Sequence, residues 1–149
     1  MSALQEWDRE GGFVIPSSEF PMADLYLCWN RKSLFVGLYA HDVCEDAFYR
    51  DRIIRVSDRA EWIVRIGDSE IRARIGAGLE PTLNDTRVRV TNSSGINGNF
   101  RNIACLEIPS TLVGKSRLKG MDEIDLSSTF FTQGRGYSTE WSGRFTLVR

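Results

Sequence analysis

The stretch from Ala23 to Asp42 constrains the fold more than any other part of the chain. It reads ADLYLCWN, then RKS, then LFVGLYAHD: two runs rich in apolar, aromatic and β-branched residues, joined by a tight polar turn. Side chains on an extended strand point alternately to opposite faces, so two alternating runs around such a turn specify a β-hairpin. A second stretch, Asp58 to Gly67 (DRAEWIVRIG), opens on acidic residues and runs straight into another strand.

The same reasoning extends along the chain. Alternation and β-branched or aromatic content predict strands near Gly12–Ile15, Asp24–Trp29, Leu34–His41, Ala60–Ile66, Glu70–Ile75, Arg87–Thr91, Phe100–Ile108, Asp125–Thr132 and Glu140–Val148. Turn signals separate them at Asn30 to Ser33, Gly67 to Ser69, Glu80 to Asp85, Asn92 to Asn99 and Gly134 to Gly136. Only Pro109 to Lys115 reads as a helical turn, too short to form a layer. Many short strands with few helices predict an all-β fold, a two-sheet and mostly antiparallel β-sandwich. With 149 residues, no repeat and no Pro-, Gly- or Ser-rich linker, residues 1–149 read as one domain.

Alternation also assigns faces. Ala60, Trp62, Val64 and Ile66 share one side of their strand, and Arg59, Glu61, Ile63 and Arg65 the other. Ile71, Ala73 and Ile75 oppose Arg72 and Arg74, and Val88 and Val90 oppose Arg87 and Arg89. If these three strands are neighbours, their polar sides form one arginine-rich surface with Glu61 at its edge.

Charge excludes some partners. Acids and bases nearly cancel at a formal net charge of −1, which gives no pull toward nucleic acid or an anionic membrane. No segment reaches the apolar length needed to cross a bilayer. Residues 1–12 lack the basic and then apolar layout of a signal peptide, so the chain reads as cytoplasmic or as a domain excised from a longer secreted protein. Cys28, Cys44 and Cys105 are odd in number and lack CxxC spacing. Two of them lie in β runs, where a free Cys packs as a small hydrophobe, and a zinc site with His41 as the lone histidine is disfavoured.

Six motifs in order carry a resemblance. Leu4-Gln5-Glu6-Trp7-Asp8, Trp29-Asn30 followed by Leu34-Phe35-Val36, His41-Asp42, Asp58-Arg59-Ala60-Glu61, Asn102 to Pro109, and Arg135 to Gly143 resemble successive motifs of the family-nine carbohydrate-binding modules and their DOMON-like relatives. Asn30 stands where Asp is common, and the Asp-Gly that usually precedes the first motif is absent. The resemblance implies a two-sheet sandwich, usually non-catalytic, often attached to or associated with a glycoside hydrolase. Its implied ligand is a saccharide or polysaccharide, held by aromatic stacking and by hydrogen bonds from carboxylate and arginine.

On that basis the candidate ligand residues are Glu61, Trp141, Tyr137 and Arg65. The resemblance assigns the sugar hydroxyls to Glu61, but no Trp precedes Asp58 to complete an aromatic clamp. Each candidate also has a plain reading. Glu61 fits a carboxylate paired with arginines on a solvated face, and Trp141 shares its side with Gly143, Phe145 and Leu147, which suits a core residue. Trp62 and Trp29 read as core, and Trp7 as an anchor for the N-terminal segment. The arginines read as a solvated face or as an anion or uronic-acid site.

Asp42, Glu45 and Asp46, with Asp51 nearby, form an acidic loop suited to a structural calcium ion. The same superfamily also contains haem-binding electron carriers, for which Met22, Met121, His41 and Lys119 are the available ligands. A third alternative is a structural or protein-interaction sandwich with no small ligand. Nothing supports an enzyme: the acids show no catalytic arrangement, and His41 lacks a G-x-S-x-G serine. Two N-x-[ST] sequons, at Asn84 and Asn92, fall in loops.

Overall fold

The computed structural model of the chain describes residues 13–16, 23–41, 60–76, 80–94, 101–132 and 138–148. Its strands are β1 (Phe13–Pro16), β2 (Ala23–Trp29), β3 (Ser33–His41), β4 (Ala60–Ile66), β5 (Ser69–Ile75), β6 (Thr82–Leu83), β7 (Arg89–Asn92), β8 (Arg101–Pro109), β9 (Glu123–Thr132) and β10 (Ser138–Thr146), with one 3-10 turn at Ser110–Val113. They form two five-stranded sheets, β1-β2-β3-β8-β7 and β10-β9-β4-β5-β6. Every pairing is antiparallel. The expected two-sheet β-sandwich is the observed architecture. Among the described residues no helix is long and apolar enough to cross a membrane.

Local chemistry explains the two hairpins that frame the molecule. Between β2 and β3, Asn30 Oδ1 accepts the backbone N–H groups of Lys32 (2.8 Å) and Ser33 (2.9 Å), while Asn30 N–H donates to Ser33 O at 3.0 Å. A short amide side chain can cap its own turn in this way. Between β4 and β5 the two-residue loop is Gly67-Asp68, with Gly67 at φ +54° and Asp68 on the negative side. Gly at the first central position suits the type II′ turn, whose twist matches that of the strands.

The core lies between the sheets, as the alternation requires. Leu25, Val36 and Leu106 of the first sheet face Trp62, Val64 and Ile71 of the second, all fully buried. Trp62 Nε1 donates to Ser128 Oγ at 2.8 Å, and both residues are shut off from solvent. Trp29 is half-buried at the margin of the core and donates its Nε1 proton to Val148 O at 3.0 Å.

One expectation is corrected. The strand near Arg87–Thr91 does not join the Arg65 and Arg72 strands; it forms β7 and pairs with β8 in the opposite sheet, with Arg89 opposite Glu107. Valine alternation gave its faces correctly, but alternation carries no information about pairing order. The neighbour of β5 is instead β6, a two-residue strand within the predicted Glu80–Asp85 turn. Asn84 holds it there: Arg72 N–H donates to Asn84 Oδ1 (2.7 Å), and Asn84 Nδ2 donates to Glu70 O (2.9 Å).

Candidate functional site

The outer face of the second sheet is built from the alternate residues that the core does not use. The register sets Arg65 of β4 beside Ser127 of β9, and Ser127 beside Ser142 of β10. One step along, Asp125 pairs with Arg144. The Gly67-Asp68 turn closes the end. Together with Leu126 and Gly143 these residues line an open groove of about 850 Å³.

Its charges are compensated in pairs. Arg144 grips Asp125 in a two-pronged fork, Nε to Oδ1 at 2.7 Å and Nη2 to Oδ2 at 3.0 Å, which holds the Asp125 carboxyl below its ordinary range. Arg65 Nε donates to Glu70 Oε2 at 2.8 Å. Glu70 also accepts from Arg72 Nε at 2.6 Å, and Arg72 Nη1 reaches Glu61 Oε1 at 3.1 Å. Arg72 first and Arg65 second keep Glu70 below the usual carboxylate range. A chain of alternating charge, Glu61–Arg72–Glu70–Arg65, therefore crosses β4 and β5. The Nη atoms of Arg65 make no hydrogen bond among the described residues, and Arg65 lines the groove.

The sequence candidates distribute unevenly over this surface. Arg65 lines the groove. Glu61 lies on the same face of β4 but about 13 Å away, four residues at about 3.3 Å each, and is only 8% exposed. Phe131, its register partner on β9, is half-buried beside it. Trp141 turns to the core side of β10 and is 8% exposed, so its ring is not an open stacking platform here. Its Nε1 is buried without a hydrogen-bond partner among the described residues. Tyr137, Asp42, Glu45, Asp46 and Asp51 lie outside the described residues, as do Trp7, Met22 and Cys44. No three His, Cys, Asp or Glu side chains gather as a metal site among the described residues.

The two describable haem candidates sit on a surface turn. Met121 is 77% exposed and Lys119 is also exposed, and the Lys119 and Asp122 backbones are tied by a bond from Asp122 N–H to Lys119 O at 3.2 Å. His41 ends β3 opposite Arg101 in the register. Both sequon asparagines are structural. Asn84 clamps β5 as described, and Asn92 Nδ2 donates to Gly76 O at 2.9 Å while its Oδ1 accepts Ser94 N–H at 3.2 Å.

Asp125, Ser127, Ser142 and Arg144 were not among the residues singled out in the sequence. The signal that bears on them is small serines at outward positions of two adjacent strands, and the adjacency appears only with the register.

No protein-family model and no protein of curated function matches the chain. Among solved structures, it superposes on a Bacteroides uniformis protein whose name proposes carbohydrate binding, with a TM-score of 0.54, 10% identity, and coverage of 99% of this chain and 84% of that one. At this identity the likeness is one of fold. The GAE domain of yeast GGA1 aligns over 93% of this chain and 99% of its own at 13% identity, but its TM-score of 0.32 carries no argument.

Proposed function

We propose that this sandwich is a non-catalytic module that binds a neutral saccharide in the groove between β4, β9 and β10. The observation that carries the reading is the charge-balanced, hydroxyl-rich lining. Two arginines and two aspartates cancel, and two serines lie among them. Vicinal hydroxyls need donors and acceptors side by side, which such a lining offers. A uronic acid would meet Asp68 and Asp125 as well as the arginines, so the balance favours a neutral sugar. The fold neighbour's proposed carbohydrate role agrees with this reading.

Within it, Arg65 donates to ligand oxygens through its Nη atoms, and Asp125 accepts, held in place by Arg144. Glu61 and Phe131 extend the same face beyond the groove, and Tyr137 is a further candidate contact. Trp141 supports β10 from the core side. An associated glycoside hydrolase is the natural context for such a module, and calcium in the Asp42, Glu45 and Asp46 segment would act structurally.

A glycan array followed by titration calorimetry tests the reading, run once with calcium and once with chelator. Arg65→Ala is expected to weaken binding about tenfold or more, since hydrogen bonds from charged groups are worth about 1.5–3 kcal/mol. Trp141→Phe is expected to leave affinity unchanged. A blank array for folded protein, or binding indifferent to Arg65→Ala, rules the groove out.

A further inference from the structure

Among the described residues three of the four sheet edges are short. Strand β1 spans four residues, β7 four and β6 two. The fourth edge, β10, runs for nine residues without proline, and its charged residues are Glu140 and Arg144. Edge strands display unpaired N–H and C=O groups, and proteins usually blunt them by shortness, proline or charge. Among the described residues β10 has a neighbour only on its β9 side.

The direction of its free groups follows from the strand's end. Leu147 N–H donates to Asp122 O at 2.8 Å, and Leu147 O accepts Met121 N–H at 2.8 Å. In an antiparallel strand both backbone groups of a residue point the same way and alternate along the chain. Phe145, Gly143 and Trp141 therefore turn theirs toward β9, and Thr146, Arg144, Ser142, Glu140 and Ser138 turn theirs outward. The outward side chains read Glu140, Ser142, Arg144, all exposed. This triplet is self-complementary: about a two-fold axis at Ser142, Glu140 of one strand falls opposite Arg144 of the other, twice. Glu140 has no ion-pair partner among the described residues, and Arg144 has donors to spare beyond its fork on Asp125.

We propose that β10 pairs antiparallel with β10 of a second copy of this chain, about a dyad at Ser142. The pairing makes one ten-stranded sheet and closes about ten backbone hydrogen bonds, a typical interface complement. Residues opposite each other in such a pair face the same side, so the two grooves abut at the dyad. Their linings join in one row, Arg65–Ser127–Ser142 meeting its mirror order in the partner copy. The two Arg65 backbones then lie about 24 Å apart, five strand spacings of about 4.8 Å. A dimer of this shape offers one long surface in place of two short ones. The proposal stands on the edge geometry and does not require a saccharide.

Sedimentation equilibrium on the full chain, without ligand, tests it. The expected result is a dimer. Ser142→Pro removes an outward N–H that β9 does not use, and is expected to give a monomer with an unchanged far-UV circular dichroism spectrum. Arg144→Glu sets like charges opposite each other twice and is expected to raise the dissociation constant about tenfold or more. Adding Glu140→Arg to Arg144→Glu reverses both signs and is expected to restore the dimer; this pair of variants decides the matter if the proline variant does not fold. A wild-type monomer at every concentration overturns the proposal and leaves the edge to a strand of another protein. So does a dimer that both Ser142→Pro and Arg144→Glu leave intact.

Discussion

The bond from Trp62 Nε1 to Ser128 Oγ can be broken by one atom. Ser128→Ala removes the acceptor 2.8 Å from an indole nitrogen on a residue with no solvent exposure, and Ser128 itself is only 1% exposed. Water has no route to replace it, so the indole N–H is left buried and unpaired, at a cost of about 1–3 kcal/mol. The change is small in volume, and Ala suits the core side of β9, so packing adds little. At this chain length that loss lowers the melting temperature by roughly 2–4 °C per kcal/mol.

Trp62→Phe removes the donor instead and leaves a cavity between β4 and the opposite sheet, a larger cost of its own. In that background Ser128→Ala is expected to be close to neutral, because no indole N–H remains to be orphaned. The double-mutant cycle in urea, read by circular dichroism, should therefore return a coupling of about 1–3 kcal/mol. A coupling near zero would refute the assignment of this bond as a buried contributor. Trp141 is the internal comparison, since its Nε1 already lacks a partner among the described residues. Trp141→Phe forfeits no such bond and should cost less than Trp62→Phe.

Met121 holds φ at +72° while 77% exposed, in a turn where Gly120 precedes it with no positive φ. Met121→Gly should raise stability by about 1 kcal/mol in urea unfolding, since a side chain in the left-handed region costs about 1–2 kcal/mol and this one packs on little; a loss would show that contacts of the Met121 side chain outweigh the strain. Glu70, Asp85, Asp122 and Asp125 are all held below the ordinary carboxylate range, by Arg72 and then Arg65, by Arg87, by the Lys119 N–H and then Lys115, and by Arg144. The unfolded chain then binds more protons than the folded one, so their contribution is fully present above about pH 5 and is lost as pH falls through the depressed folded values. Among the described carboxylates with a resolved shift Asp24, raised by burial, is the one that opposes this; melting temperatures that climb on acidification from pH 5 to pH 3 contradict the balance. The Cys105 thiol is pushed up to about 12, by burial first and then by Cys28 and Glu107, so its alkylation by iodoacetamide at pH 8 should be far slower than that of free cysteine, and mass spectrometry of a timed quench reads it directly.

Strand positions were legible because alternation is a local property. Ala60–Ile66 was read to the residue, and the strands at Glu70, Leu34 and Phe100 within one residue at each end. The 3-10 turn at Ser110–Val113 fell inside the predicted helical turn, where Gly114 at φ +77° stops it. Strand β6 was not legible, since a two-residue strand has no period and its place is set by Asn84 reaching across to β5. The groove was not legible for a related reason. Arg65, Ser127 and Ser142 are distant in sequence and meet only because β9 lies between β4 and β10. A pattern that names an outward face cannot say which outward faces touch. The same gap produced the misplaced Arg87–Thr91 strand.

Under the proposed function two outer faces are candidates for the ligand surface, and their linings differ. The outer side of the first sheet carries Tyr26, Phe35, Tyr39 and Ile103 around Gly37 and Cys105. It has the aromatic rings that the groove lacks, which makes it the more obvious stacking surface from composition alone. Yet Gly37 is buried on that central strand, the rings are only half-exposed, and desolvation dominates the rise at Cys105. The burial that raises the Cys105 thiol marks the middle of this face as packed, while the rings around it stay half-exposed. The second sheet shows the reverse: exposed arginines, an exposed Ser142 beside a half-buried Ser127, and carboxylates kept ionised by paired guanidinium groups. A saccharide recognised there would depend on hydrogen bonds more than on stacking. If the proposed saccharide site holds, one short groove would bind weakly, and two grooves joined across β10 would raise the affinity through effective concentration, with no new kind of contact.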